Sequence, residues 1–406
     1  MATRAPRMAK RAAAAETGAP VGGRRTAQQQ GASTLAVHAG EATDPQSGAV
    51  NVPITQSTTF RYPELEDGAK APYIYSRYEN PTLESVERKL AALEGAAHSL
   101  LFASGMAAIQ AACVALAKPG QTVAVQRGVY GGTTAYLSSE LAPYGVKVVE
   151  VDAHAAPRLP KGTSLVWMES ITNPLLRVAD PRPWAEAAHD AGAKLVVDAT
   201  FATPLLQKPL ALGADAAMHS GTKYLGGHAD VTAGALSVQD PALRASLWTR
   251  RRNLGATLDP HAAYLVGRGM KTIALRVERH CANAWALAQE CEGLPGVNAV
   301  HYPGLPSHPD HAAARKVLSG FGGMVTLDLG TKARAQAFRR KVQVILPAAS
   351  LGGVESLVSL PLETSHAYAG AAKRKADGIG DGLVRISVGI EDAADLAADV
   401  RQAVRG

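Results

Sequence analysis

Short apolar runs alternate with segments of helical spacing through the first two thirds of the chain. The apolar runs have the length and composition of buried strands, and the helical segments repeat apolar residues every three or four positions. Strands are predicted at residues 99–103, 122–125, 146–151, 164–168, 195–197 and 216–218, and helices at 83–94, 107–117, 133–141 and 183–191. Because parallel strands need crossover connections of about this length, the pattern predicts an α/β fold with a mostly parallel sheet.

The pattern changes after about residue 258. An Ala- and Leu-rich helix is predicted over residues 271–291 and would bridge two domains. Beyond it the spacing predicts strands at 324–327 and 383–388 and helices at 331–341 and 392–404, an α+β arrangement. The predicted division is a disordered basic tail at 1–32, an N-terminal arm at 33–75, a large domain at 76–268 and a small domain at 269–406.

The net charge of +7 is concentrated at the N-terminus. Residues 1–30 hold six Lys or Arg against one acid, so the remainder is close to neutral and gives no electrostatic case for nucleic acid. No apolar run approaches the roughly 18 residues of a membrane span, so no membrane partner is expected. The tail fits either a plain disordered arm or an organelle transit peptide. We therefore expect a cytoplasmic location, with organelle import as the alternative.

The cysteines and histidines give no sign of a metal site. Cys113, Cys281 and Cys291 cannot all pair with one another and have no metal-like spacing, so we expect a reducing compartment and buried packing roles. Three histidines in predicted connections also lack metal-ligand spacing and are expected to be loop or core residues. They are His308, His311 and His366.

Polar segments follow several of the predicted strands. In a parallel sheet, ligands bind beyond the carboxyl ends of the strands, so segments 102–106, 169–173, 198–203 and 219–223 are expected to meet at one crevice. Lys223 could hold an aldehyde, Asp198 could face a pyridine nitrogen, and the nearby hydroxyls suit a phosphate. The sequence therefore favours pyridoxal 5'-phosphate (PLP) chemistry.

Seven motifs occur in order along the chain. They are Y-S-R with N-P-T at 75–82, S-G-M at 104–106, Y-G-G-T at 130–133, E-S-I-T-N-P at 169–174, V-D at 197–198, H-S-G-T-K at 219–223 and S-L-G-G at 350–353. From about residue 35 to its end the chain resembles the Cys/Met-metabolism PLP enzymes. These include cystathionine γ-synthase, γ-lyase and β-lyase, methionine γ-lyase and the O-acylhomoserine sulfhydrylases. The resemblance implies the aspartate-aminotransferase-like fold (fold type I), with PLP in the large domain.

The resemblance implies catalytic roles for three residues. Lys223 would bind PLP covalently and, once freed by the substrate amine, shuttle protons. Asp198 would keep the pyridine nitrogen protonated. Tyr130 would stack on the pyridine ring and act as acid or base near the leaving group.

The resemblance also implies binding roles. The remaining cofactor-binding residues would be Tyr75, Arg77, Ser104, Gly105, Met106, Asn173, Ser220 and Thr222. Tyr75 and Arg77 would reach the phosphate from a second subunit, so the arm would contact its neighbour and a homotetramer, a dimer of dimers with shared sites, is expected. Arg385 would bind the substrate α-carboxylate, aided by Ser350 and Asn173.

The activity implied is γ-elimination or γ-replacement on a sulfur-containing or O-acylated homoserine-type amino acid, in transsulfuration or in methionine and cysteine metabolism. Cystathionine β-lyase, methionine γ-lyase and O-acylhomoserine sulfhydrylase activities are the alternatives. Ala349 stands where several cystathionine-processing relatives carry glutamate, and Gly132 stands where methionine γ-lyases carry cysteine. A hypothesis from another class is a non-catalytic scaffold, which would be expected to lack Lys223 or Asp198.

Overall fold

The computed structural model describes residues 30–61, 73–364, 367 and 370–405. Predictions that concern residues 1–29, including the disordered tail or transit peptide, and the role of His366 lie outside the described residues. The first helix begins at Ala32, within the range predicted to be tail. In the part of the chain that is described, none of the helices combines the length and the apolar character needed to cross a membrane.

A large sheet occupies the first part of the described chain. Its strands are β1 His98–Phe102, β2 Thr122–Gln126, β3 Lys147–Val151, β4 Thr163–Glu169, β5 Lys194–Asp198, β6 Ala216–His219 and β7 Gly234–Val238. They lie in the order β1-β7-β6-β5-β4-β2-β3, and β7 runs antiparallel to both of its neighbours. The mostly parallel sheet predicted from the sequence is confirmed. β7, which the sequence pattern did not indicate, is inserted between β1 and β6.

Helices cover the faces of this sheet. Their bounds are α1 Ala32–His38, α2 Pro81–Glu94, α3 Gly105–Leu116, α4 Gly131–Tyr136, α5 Arg182–Asp190, α6 Thr203–Leu206, α7 Pro241–Leu254, α8 Pro260–Met270 and α9 Ile273–Cys291. Asn80 and Ser104 cap α2 and α3 through their side-chain oxygens, and Gly95 ends α2 with φ +70°. The caps place both helix starts two residues before the predicted positions.

Several helices depart from the predictions, and α8 was not predicted at all. The helix predicted at 133–141 is α4 followed by a π-helical turn, Leu137–Leu141. The helix α7 was missed, because only Leu243, Leu247 and Arg251 of its 14 residues are buried and its last turns are rich in arginine. A helix with such a narrow apolar stripe has weak periodicity.

The C-terminal part forms a second, five-stranded sheet in the described residues, in the order β10-β11-β12-β9-β8. Its elements are β8 Ala299–His301, α10 His311–Val317, β9 Met324–Asp328, α11 Lys332–Lys341, β10 Leu346–Pro347, β11 Leu357–Ser359, α12 Ala371–Ala376, β12 Leu383–Ser387 and α13 Ala393–Arg405. The predicted strands and helices are present, but the segments 304–320 and 361–382, which were predicted to be exposed connections, contain α10 and α12. The strands of two or three residues were missed because they are too short to show a period.

The long helix α9 packs against both parts of the chain. Ile273 and Val277 belong to a core shared with α2 and α8, whereas Leu287 and Cys291 belong to the core beneath the second sheet. The helix therefore joins the two cores, as predicted. The domain boundaries at residues 76 and 269 remain predictions.

The cysteines and the histidines that follow α9 are packed or hydrogen-bonded. Cys113 and Cys291 are buried, but Cys281 is half-buried, so its predicted burial is only partial. His308 is buried and accepts a hydrogen bond from the Asp310 N–H at 3.2 Å. His311 Nδ1 lies 2.9 Å from the Pro303 carbonyl oxygen.

The N-terminal arm begins by packing on its own chain. Lys89 of α2 is fully buried, and its ammonium donates to the carbonyls of Ala36 at 2.7 Å and Val37 at 3.1 Å. Glu41 lies 3.2 Å from the same ammonium and supplies the opposite charge. These bonds hold the end of α1 against α2. Contact of the arm with a neighbouring subunit stays a prediction.

A buried arginine joins α7 to the start of the large sheet. The Arg251 guanidinium forms an ion pair with Glu87 and donates to the carbonyls of Tyr78 at 3.0 Å and Leu101 at 3.2 Å. Burial raises the pKa of Glu87, and the arginine opposes that shift. Arg251 therefore neutralises a carboxyl that could not otherwise be buried in its charged form.

Replacing Arg251 tests this role. We expect Arg251→Ala to lower the free energy of unfolding by about 3–5 kcal/mol, because it leaves Glu87 buried without a partner. Chemical denaturation followed by circular dichroism would measure the loss. The adjacent Arg252→Ala is the control and should cost about 1 kcal/mol or less, since the half-buried Arg252 side chain makes cation–π contacts with Tyr78 and Trp248 and donates a hydrogen bond to the neighbouring Asn253 side chain. Equal losses in both variants would contradict the assignment.

Candidate active site

A cavity of about 660 Å³ lies where the parallel strands of the large sheet end. This volume is typical of a small-molecule site. The predicted site residues that line it are Ser104, Gly105, Met106, Tyr130, Asn173, Asp198, Ser220, Thr222, Lys223, Ser350 and Arg385. The polar segments that follow β1, β4, β5 and β6 therefore meet at one place, as the parallel topology predicted.

Lys223 lies in the cavity, four residues after β6. Its Nζ donates a hydrogen bond to Ser350 Oγ at 2.8 Å. Burial, together with the positive charge of Arg385, lowers the pKa of Lys223 to about 8. A substantial fraction of this amine is therefore neutral, and nucleophilic, near neutral pH.

The loop that presents Ser350 to Lys223 has an unusual backbone. Ser350 adopts φ +84°, which side-chain-bearing residues seldom adopt. Two residues later, a Cβ on Gly352 would lie 2.8 Å from the backbone nitrogen of Tyr224. The loop thus passes close enough to the lysine segment to require glycine, and Ser350 is held in a strained conformation at the site.

Asp198 is the last residue of β5 and is buried. Its Oδ1 accepts hydrogen bonds from the Thr200 N–H at 2.9 Å and the Thr200 hydroxyl at 2.5 Å. Burial raises the pKa of Asp198, and the bonds from Thr200 and the nearby His219 oppose the shift. A cationic N–H placed beside this carboxyl would favour its charged form.

Arg385 projects from β12 in the second sheet and is 5% exposed. Its guanidinium donates to Asn173 Oδ1 at 2.9 Å and to the Ser350 carbonyl at 3.1 Å, and its Nε has no partner within the described residues. Burial lowers the pKa of Arg385 to about 10. Among the described residues no carboxylate forms an ion pair with it. A buried cation in this state favours binding of an anionic ligand.

The opposite end of the cavity is suited to a phosphate. The backbone of Gly105 and Met106 opens α3, whose first N–H groups and helix dipole attract anions. A Cβ on Gly105 would lie 3.0 Å from the Ser220 side chain, so glycine allows the two segments to approach. The Thr222 hydroxyl accepts from the Ala233 N–H at 2.9 Å, which fixes its position. These donors, with Lys223 and Asp198, form a set that fits PLP.

Tyr130 caps α4 at the mouth of the cavity and is 40% exposed. Its ring lies over Gly132, where an added Cβ would come within 2.4 Å of Tyr130 Cε1. Any side chain at position 132 would therefore displace the ring. Glycine at this position therefore leaves room for the Tyr130 ring where it lies.

Tyr75 and Arg77 are not brought to the cavity of their own chain. Both are exposed, and the Arg77 guanidinium lies over the rings of Tyr75 at 5.4 Å and Tyr78 at 5.0 Å. Their predicted role at a neighbouring subunit's site stays a prediction.

Several residues of the site were not predicted from the sequence. Thr200 binds Asp198, and apolar side chains line the walls: Ile109, Ile171, Phe201 and Met218. Glu169 begins the E-S-I-T-N-P motif at 169–174, but no role was predicted for it. It is buried at the end of β4, in register with Asp198 on β5. The sequence pattern that could have indicated Glu169 is that its apolar run, like the one before Asp198, ends in an acid.

The chain is similar in sequence to known proteins of one enzyme family. A model of the family described as Cys/Met metabolism PLP-dependent enzyme matches residues 33–405. The cystathionine gamma-synthase of Mycobacterium tuberculosis is 43% identical over 388 residues, which are 94% of this chain and 99% of that protein. The cystathionine gamma-lyase of Dictyostelium discoideum is 43% identical over 376 residues, 91% and 97% of the two chains.

The fold is also shared with solved structures. The crystal structure of metB from Corynebacterium glutamicum matches with a TM-score of 0.90 at 39% identity, over 94% of this chain and 99% of that one. The fold expected from the sequence, a PLP-dependent fold type I architecture, is confirmed.

The lowered pKa of Lys223 gives a testable pH dependence. Only the neutral amine attacks an aldehyde, so the initial rate at which PLP attaches to the cofactor-free protein should rise with pH and level off above about 8. An ordinary lysine, with a pKa of 10.5, would give a rate that still rises at pH 9. The growth of the visible absorption band would measure the rate.

Two variants serve as controls for this measurement. Lys223→Ala should give no band. Arg385→Leu removes a positive neighbour, which should raise the pKa of Lys223 and move the inflection to higher pH. A protein that gains no colour with PLP, or an inflection near 10, would contradict the assignment of Lys223.

Proposed function

The chain belongs to the Cys/Met-metabolism PLP-dependent enzymes, and we propose that it catalyses γ-elimination or γ-replacement on a γ-substituted amino acid of the homoserine or homocysteine type. Arg385 carries this proposal. It is a buried guanidinium without a carboxylate partner among the described residues, and it shares the cavity and the Ser350 loop with Lys223. A substrate α-carboxylate bound by Arg385 would therefore present its amine and Cα toward Lys223.

The proposed roles of the other residues follow from their contacts. When bound, PLP withdraws electrons from the substrate Cα. The Asp198 carboxylate would hold a proton on the pyridine nitrogen, and Thr200 would orient that carboxylate through its two hydrogen bonds. The phosphate would lie between the α3 N-terminus and the Ser220 and Thr222 hydroxyls. Asn173 would orient Arg385 through the bond to its guanidinium.

Lys223 and Tyr130 would transfer the protons of the proposed reaction. With a pKa near 8, the Lys223 amine can accept a proton from the substrate Cα near neutral pH and release it again. In γ chemistry a Cβ proton must also be removed before the γ substituent leaves. Tyr130, at the cavity mouth, would act on the leaving group and stack on the cofactor ring. Water then gives the elimination products, whereas a thiol gives replacement.

Beside Ser350, the cavity lining offers no free acid to a second ammonium group within the described residues. Ala349 and Leu351 are small or apolar, and Glu363 is paired with Arg339. A γ substituent without a distal ammonium, such as an O-acyl group, is therefore the better fit for the leaving group. β-Elimination from cystathionine remains the second candidate because the same Cα chemistry starts both reactions. A non-catalytic scaffold is disfavoured because Lys223 and Asp198 are both present.

We further propose a homotetramer built from dimers with shared sites. The proposal rests on Tyr75 and Arg77, which lie exposed on the turn before α2 and do not line the cavity of their own chain. Arg251 holds this turn through the Tyr78 carbonyl. A second subunit would place the two side chains at its neighbour's phosphate.

Product identification tests the reaction. The PLP-loaded protein is incubated separately with cystathionine, methionine, cysteine and O-acetylhomoserine plus cysteine. We expect 2-oxobutanoate from elimination, or cystathionine formed from O-acetylhomoserine and cysteine. Lys223→Ala should form neither. Pyruvate from cystathionine would show β-elimination instead, and no product from any of these compounds would overturn the proposal.

Mixed oligomers test the shared site. Arg77→Ala and Lys223→Ala proteins should each be nearly inactive, because each lacks one half of every site. An equal mixture of freely exchanged subunits should regain about a quarter of the native activity, since about half of the dimers are mixed and one of the two sites in each mixed dimer receives both native residues. Each variant put through the exchange procedure alone is the control. Verified mixed oligomers that stay inactive would count against the proposal.

A further inference from the structure

The Glu169 carboxyl lies between two walls of the cavity and has no role in the reaction described above. It accepts a hydrogen bond from the Tyr130 N–H at 2.6 Å and another from the Asn173 backbone N–H. Its own N–H donates to the Gln126 side chain at 2.8 Å, which fixes the end of β4 against β2. One buried carboxyl therefore joins the start of α4 to the loop that follows β4.

These two bonds continue into the rest of the site. Asn173 accepts from Arg385, Arg385 donates to the Ser350 carbonyl, and the Ser350 hydroxyl accepts from Lys223. The series runs from Tyr130 through Glu169, Asn173, Arg385 and Ser350 to Lys223. Each of its members lines the cavity.

We propose that Glu169 is a positioning residue that fixes the Tyr130 wall relative to the Asn173–Arg385 wall by accepting both backbone amides. Given the proposed function, it sets the orientation of the amino-acid substrate between the carboxylate clamp and the leaving-group end. It does this without touching the reacting atoms.

The surroundings of Glu169 indicate that it acts through hydrogen bonds to its carboxyl oxygens and not through a negative charge. Burial and the neighbouring Asp198 both raise the pKa of Glu169 well above its usual range, whereas Asp198 has His219 and Thr200 to support its charge. Asp198 is therefore the member of the pair that ionises, and Glu169 stays neutral. A neutral acid still accepts two amide hydrogen bonds through its carbonyl oxygen.

Gln is therefore the matched replacement for Glu169. Glu169→Gln keeps an acceptor oxygen of the same reach and is neutral, whereas Glu169→Ala leaves two buried amides without an acceptor. Glu169→Leu fills the volume and also lacks the acceptor, and it replaces the Ala variant if the cavity left by Ala prevents folding. All three are compared as PLP-loaded proteins.

Hydrogen exchange measured by mass spectrometry is the first readout, and it does not depend on activity. Peptides that cover residues 128–136 and 170–178 should exchange faster in Glu169→Ala and Glu169→Leu, and as in the native protein in Glu169→Gln. Peptides from α11 and α13, which contribute no residue to this series, serve as the internal control and should not change. If the proposed reaction fails, this measurement still decides the role of Glu169.

Kinetics are the second readout. With the best substrate found, Glu169→Ala should lower kcat/KM by about 10- to 100-fold, mainly through KM, because misplaced walls weaken substrate binding. Glu169→Gln should stay within about threefold of the native enzyme on the same grounds. Equal damage in the Gln and Ala variants would show a role for the charge and overturn the proposal. Unchanged exchange in both peptides of the Ala or Leu variant would overturn it as well.

Discussion

The structure of the cavity depends on one constraint, the burial of the Arg385 guanidinium without a carboxylate partner among the described residues. A buried cation is tolerated only if its donors are satisfied, and here a side-chain amide and a backbone carbonyl take two of them. Those partners come from the loop that follows β4 of the large sheet and from the strained turn at Ser350, between β10 and β11. The second sheet thus supplies the charge, and these two loops supply the hydrogen bonds that stabilise it.

The electrostatics of the site follow from placing four ionisable groups in one buried space. Arg385 lowers the pKa of Lys223, and Asp198 raises the pKa of Glu169, in each case in the same direction as burial. The result is an amine that is partly neutral near pH 7 and a pair of acids of which one ionises. A bound molecule with a carboxylate at one end and a cationic ring nitrogen at the other would give Arg385 a negative partner and Asp198 a positive one.

The two sheets must keep a fixed relation for this arrangement to persist. Helix α9 contributes to both apolar cores, so a shift of one sheet relative to the other would expose apolar surface at Val277 or Leu287. The Thr326 hydroxyl of β9 also donates to the Pro174 carbonyl at 2.7 Å, which ties the second sheet to the loop beside Asn173. The carboxylate clamp is therefore held at the junction of two packed units.

The sequence by itself determined the parts of this protein that are encoded locally. Strand and helix order and the polar segments at strand ends follow from neighbouring residues, and these predicted the parallel sheet and about half of the cavity lining. Only the tertiary structure decided the antiparallel insertion of β7, the distance of Arg77 from its own cavity, and the two amides on Glu169. The reason is that packing between residues far apart in the chain sets which groups are buried together, and burial sets their bonds and pKa values.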